Sequence, residues 1–164
     1  MGRAQSGMTS QLDAWYAAIA RELPLGRCDG CDLCGLRCAA GTPMRAEEYR
    51  RLRQSWLSLP ATERRRLVRQ RRSVDLSPGV STPVCAFRDV DAGRCSLYDD
   101  RPLICRLFGW VWWLPCPAQR VQPKDDAWIR LLLESYCAEP RAPFDVWNAR
   151  LHDCDCQLER YADA

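Results

Sequence analysis

Four cysteines fall within eleven residues, at Cys28, Cys31, Cys34 and Cys38. Thiols separated by two residues converge on one soft ion, because a tight turn carries both sulfurs to the same side. Four convergent thiolates are what zinc and iron–sulfur clusters require. A second group follows at Cys85, Cys95, Cys105 and Cys116, spaced ten or eleven apart among turn residues and bulky apolar ones. The eight thiols suffice for two four-thiolate sites, or ligands from both groups can mix around one. Long loops between ligands are tolerable, since closure entropy grows only as the logarithm of loop length. Bound Zn²⁺ or a 4Fe–4S cluster would leave such sites negative. Arg37, Arg94, Arg101 and Arg106 lie next to ligand cysteines and can offset that charge, while backbone N–H groups donate to sulfur.

The elements that must position these thiols read as helices. Leu12, Trp15, Ile19 and Leu23 share one helical face, Ser10 and Asp13 resemble a capping box, and Pro24 and Gly26 end the run just before Cys28. Thr42-Pro43 offers an N-cap with proline at the first helical position, and Tyr49, Leu52, Trp56 and Leu59 form the next apolar stripe. Pro60 breaks that helix and starts another, reaching about Arg72, and Ser77-Pro78-Gly79 with Thr82-Pro83 marks a loop. From Pro83 to Pro117 no period is sustained, so this stretch should be held by its ligands more than by regular structure. Asp125 and Asp126 suit the first turn of a helix carrying Trp128, Leu131 and Leu132. A last helix is marked by Phe144, Trp147, Leu151, Cys154 and Leu158. The expectation is a mainly α protein, one compact domain over 1–164 with about five helices around irregular cysteine-rich metal-binding loops. Within it, 28–117 forms the cysteine-cluster region and 44–72 a basic helical arm.

The second group carries a specific pattern, Cys95-Ser-Leu-Tyr98-Asp-Asp-Arg101-Pro102-Leu-Ile-Cys105-Arg106-Leu-Phe108. With the first cysteine run, it resembles the YkgJ-type CxxCxxCC cysteine-cluster proteins, described as chelating zinc or iron. Met44-Arg-Ala-Glu47-Glu48-Tyr-Arg-Arg-Leu52 is similar to the helix that follows that family's first cluster. The resemblance covers roughly Cys28 to Pro117 and implies a metal site with Tyr98, Arg101 and Arg106 beside the ligands. One departure stands out: Gly35 occupies the position where the family places its fourth cysteine, and Cys38 would supply that sulfur from three residues further on. The first run also matches the C-x2-C-x2-C-x3-C spacing of bacterial ferredoxins, with Ala39 where proline closes that motif. Three functions follow: a thiolate metal-binding protein of structural or redox role, a ferredoxin-like electron carrier, or an accessory protein or enzyme related to the flagellin lysine methylases. The first is the expectation. No Gly-rich nucleotide cradle and no nucleophile–base pair supports an enzyme reading.

The remaining residues set limits. Eleven cysteines in 164 residues, an odd number with no signal-peptide pattern at the N-terminus, fit a reducing cytoplasm better than a disulfide scaffold. Leu103 to Ala118, the most apolar stretch, contains Arg106 and is cut by Pro115 and Pro117, so no membrane span is expected. Residues 45–72 hold ten arginines against Glu47, Glu48 and Glu63, a net +7, while the whole chain carries +3 and the remainder therefore −4. With 23 arginines in all and only Lys124 as lysine, this asymmetry reads as a solvated helical face rather than a nucleic-acid surface. Metal ion or cluster is the expected partner. Cys154 reads as a small buried hydrophobe, and Cys137, Cys156 and His152, the one histidine, match no ligand run. Trp110, Trp112 and Trp113 read as core.

Overall fold

The computed structural model describes residues 10–23, 38, 41–70 and 73–152. Its first helix, α1 (Gln11–Glu22), opens as its sequence requires: Ser10 Oγ accepts from the Asp13 N–H at 3.1 Å. The buried face is Leu12, Tyr16, Ile19 and Leu23, so the aromatic turned into the core is Tyr16, with Trp15 packing at its margin.

A two-residue strand, β1 (Met44–Arg45), precedes α2 (Ala46–Ser58) and pairs antiparallel with β6 (Arg141–Ala142). The helix therefore begins three residues later than Thr42-Pro43 suggests, because Met44 and Arg45 are drawn into extended pairing. Its start is capped instead by Glu48, whose Oε2 accepts from the Arg45 N–H at 2.8 Å. Tyr49, Leu52 and Trp56 are buried on one face, as their spacing predicts. Pro60 then caps α3 (Ala61–Arg69). Residues 77–83, which read as a loop, belong to a hairpin of β2 (Ser73–Ser77) and β3 (Val80–Pro83). Pro78 and Gly79 make the turn, Gly79 taking the left-handed φ of +78° that a type II turn demands of its third residue. Five residues of weak alternation next to prolines are too faint a strand signal to read.

The segment carrying the second cysteine group is irregular but not loose. A short hairpin of β4 (Arg88–Asp89) and β5 (Arg94–Cys95) is followed by a 3₁₀ turn at Tyr98–Asp100 and the one-turn helix α4 (Leu103–Arg106). It buries Phe87, Leu97, Leu103, Leu107, Trp110 and Val111. Apolar burial, at about 25 cal/mol per Å², thus contributes to holding it. Trp112 is 78% exposed and Trp113 is exposed, so of the three tryptophans only Trp110 is core.

The chain continues through α5 (Ala127–Ala138) and α6 (Phe144–His152), giving six α-helices among the described residues in one mainly helical domain. On α5 the buried positions are Ile129, Leu132 and Tyr136, and Leu131 points to solvent. The core has two lobes. One joins α1, α4 and α5, and the other joins α2, α3, α6 and the β4–β5 hairpin. No helix among the described residues is long and apolar enough to cross a membrane.

The basic arm is only partly a solvated face. Arg51 pairs with Asp13, and Arg45 stacks on Trp15 and reaches Glu139 at 3.5 Å. Arg64, 3% exposed, donates to the carbonyls of Leu57 and Leu59 at 2.8 and 2.7 Å, satisfying the C-terminus of α2. Arg66 binds Asp89 at 2.5 Å and Glu63 at 2.7 Å.

Candidate metal centre

Cys85, Cys95 and Cys105 are half-buried cysteines that lie within one another's electrostatic reach. Each is placed by a different device. The Cys85 N–H donates to the Cys38 carbonyl at 2.8 Å, and the Cys85 carbonyl accepts from Arg88 at 3.0 Å, the first residue of β4. Cys95 faces Arg88 across the hairpin, whose turn is closed by Gly93 at φ +67°. Cys105 sits on α4, its N–H bonded to the Pro102 carbonyl at 2.9 Å.

The thiols feel one another. Burial pushes Cys95 up to about 11, with a further upward push from Cys85, while the Leu97 N–H and Arg101 pull against it. Burial raises Cys105 further still, followed by the charges of Cys85 and Cys95, and again Arg101 opposes. Cys95 and Cys105, pushed upward by burial and by neighbouring thiols, are soft donors that a bound cation would favour in the ionised form. Arg101 is held where it can act on them, its Nε donating to the Tyr98 carbonyl at 2.8 Å and its guanidinium stacking 3.4 Å from the Tyr98 ring centre. Arg106 donates to the Arg101 carbonyl at 2.9 Å and to the Asp99 carbonyl, and stacks on Tyr16.

Cys116 stands apart. It packs against the other lobe, beneath Gly109, where an added Cβ would lie 3.3 Å from the Cys116 Cβ and 2.4 Å from Val121 Cγ2. Burial raises its thiol, but the backbone N–H groups of Val121, Arg120, Ala118 and Gln119 outweigh that and bring it below the usual thiol range. Gln119 adopts a left-handed φ of +53° in this loop.

Of the first run, Cys38 is described and half-buried, and its carbonyl ties it to Cys85. Cys28, Cys31 and Cys34 lie outside the described residues, as do Cys154 and Cys156. Cys137 is exposed on α5. Among the described residues, no group of three or more His, Cys, Asp or Glu side chains is close enough to hold a metal ion alone. The donors present nevertheless fit a thiophilic metal: free thiols, a neighbouring guanidinium, an N–H directed at sulfur, and no competing disulfide among the described residues.

The cysteine pattern does not reveal the buried partners behind the site, Glu48, Tyr16 and Tyr136. Tyr16 has a signal in the spacing of Leu12, Tyr16, Ile19 and Leu23. Glu48 has only its position four residues before Leu52 on the inward face of α2.

No curated protein and no solved structure matches the chain. A family model described as "CxxCxxCC: Putative zinc- or iron-chelating domain" does match, over residues 27–138, which takes in both cysteine groups and runs on through α5. With well over half of its length matched, the chain belongs to the CxxCxxCC family of zinc- or iron-chelating domains.

Proposed function

We propose that the protein binds a thiophilic metal, Zn²⁺ or an iron–sulfur cluster, through Cys85, Cys95 and Cys105 together with thiols of the Cys28, Cys31, Cys34 and Cys38 run. The observation that carries this reading is that Cys85, Cys95 and Cys105, from separate elements, lie within one another's electrostatic reach, with the end of the first run hydrogen-bonded to Cys85. It favours a mixed site over two sites each built from one cysteine group, since Cys116 does not share the neighbourhood of the other three. A second ion would draw Cys116 together with first-run thiols that the mixed site leaves over. Arg101 offsets the negative charge, Tyr98 fixes Arg101, and Arg106 braces the turn between them. The bound group would tie the β4–β5 hairpin and α4 to the first run, and an iron–sulfur cluster would add electron transfer. The chain's own residues supply soft donors, screening charge and partial exclusion of water.

The test is metal analysis and absorption spectroscopy of protein purified without oxygen, for wild type, Cys105→Ser and Cys116→Ser. Bound zinc or iron near stoichiometry, lost in Cys105→Ser, is expected. Broad absorption in the visible region identifies a cluster, and its absence with bound zinc identifies the plain ion. In a two-ion protein, Cys116→Ser should lose one ion and keep the other. Wild-type protein that retains no metal and takes none up under reducing conditions overturns the reading.

A further inference from the structure

Behind the thiols, one carboxylate joins the two lobes of the core. Glu48 is 1% exposed, and four donors from four parts of the chain converge on it. Oε1 accepts from the Leu103 N–H at 2.5 Å and the Tyr16 hydroxyl at 3.3 Å, and Oε2 accepts from the Tyr136 hydroxyl at 2.7 Å and the Arg45 N–H at 2.8 Å. Burial, and next the Glu48 charge, push the Tyr16 and Tyr136 hydroxyls well above the usual range, so both remain protonated donors.

The Leu103 contact bears on the candidate site. Leu103 is the first residue of α4, so its N–H has no partner within that helix, and Cys105 lies two residues on. One turn of helix cannot hold itself, since helix nucleation is unfavourable and few backbone bonds close within it. At the other end, Arg106 stacks 4.0 Å from the centre of the Tyr16 ring, the same tyrosine that donates to Glu48. The turn bearing Cys105 is thus gripped at both ends by one network: Glu48 on the Leu103 amide, and Tyr16 beneath Arg106.

We infer that Glu48 is a positioning residue for the metal centre, fixing the α4 turn from which Cys105 is presented to the ion. The inference rests on the proposed metal-binding function. A buried carboxylate is the suitable group here because two oxygens offer four acceptor sites to four donors. Glutamine keeps the shape but turns one acceptor into a donor facing Leu103 and Tyr16, or Arg45 and Tyr136. That leaves buried donors opposed to a donor.

Co²⁺ loading under reducing conditions, with competition by a chelator, tests the inference on wild type, Glu48→Gln, Tyr16→Phe and Tyr49→Phe. Tyr49→Phe is the control: it removes a buried hydrogen bond from the same helix, 2.7 Å to Asn148, that does not touch α4. Glu48→Gln should lose about 10–100-fold in Co²⁺ affinity, as expected when a partner orienting a ligand is removed. Its Co²⁺–thiolate spectrum should change, and the Leu103 amide should exchange faster even without metal. Tyr16→Phe should follow in the same direction with a smaller loss, and Tyr49→Phe should match wild type in affinity and spectrum. Should Glu48→Gln not fold, Tyr16→Phe decides by the same two readouts. Wild-type affinity and spectrum in the folded Glu48→Gln protein, or losses no larger than those of Tyr49→Phe, overturn the inference and leave the proposed function standing. Wild-type protein that gives no Co²⁺–thiolate spectrum overturns both.

Discussion

At the scale of single residues, the chemistry of the site is in the cysteines and its control is in their neighbours. Cys95 and Cys105 are both pushed upward, so at neutral pH each holds its proton until a metal displaces it. The sign follows directly: apparent metal affinity should rise with pH from 6 to 8, and each ligated thiol should release one proton on loading. Zinc competition at several pH values, with proton release followed by an indicator dye, measures both. An affinity independent of pH would mean the thiols bind already ionised. Asp89 behaves in the opposite way. The Arg66 guanidinium, with help from the Ala92 N–H and Gln70, overcomes burial and holds its carboxyl well below the usual range. Its contribution is complete above the ordinary carboxylate range and is lost as pH falls through and below it. Asp89→Asn should therefore lower the melting temperature at pH 7 and narrow the gap to wild type near pH 2. The cysteine spacing makes the thiols legible in sequence. Asp89 and Glu48 are not, because a carboxylate near arginines in the sequence reads as a surface partner until its burial is known.

At the scale of elements, α1 and α2 are legible because apolar residues recur on one face of each, and Ser10 and Pro60 mark the starts of α1 and α3. The β1–β6 pairing and α4 are not. Two residues or one turn hold too little periodicity to register, and what stabilises them is remote: Trp147 Nε1 donating to the Met44 carbonyl at 2.7 Å, and Glu48 on Leu103. The β4–β5 hairpin is likewise pinned from outside, by Arg66 of α3 on Asp89 and by Ser96 donating to the Phe87 carbonyl at 2.8 Å. Chelation under reducing conditions should accordingly raise amide exchange around Cys85, Cys95 and Cys105. Exchange in α1, α2 and α5 should change little, because their buried faces do not include the thiols. Trp110 should stay buried, since Leu103, Leu107 and Val111 surround it in the same lobe. Hydrogen exchange read by mass spectrometry resolves these segments, and loss of protection across all helices would show that the metal holds the whole domain.

For the molecule as a whole, the two lobes meet through polar contacts, Glu48 of one on Tyr16, Tyr136 and Leu103 of the other, and each lobe has its own apolar packing. Trp56 is 1% exposed and packs edge-on against Phe87 at 5.6 Å, joining α2 to the segment that carries Cys85 and Cys95. Trp56→Ala should cost about 3–5 kcal/mol, the usual range for emptying a large aromatic site. Denaturant titration of metal-free protein checks this, and a loss below about 1 kcal/mol would mean the site collapses without consequence.

The Glu48 carboxylate also constrains how the protein can be made. Its Tyr136 partner lies 88 residues further along the chain. At about 5–20 residues per second, a ribosome takes roughly 4–18 s to cover that interval. Through that time the nascent α2 carries a charge that it cannot bury, because water remains its best partner. The two lobes therefore close late, after α5 has emerged, while the first-run thiols wait in the open. A chain in this state depends on its surroundings to keep those thiols reduced until Tyr136 arrives.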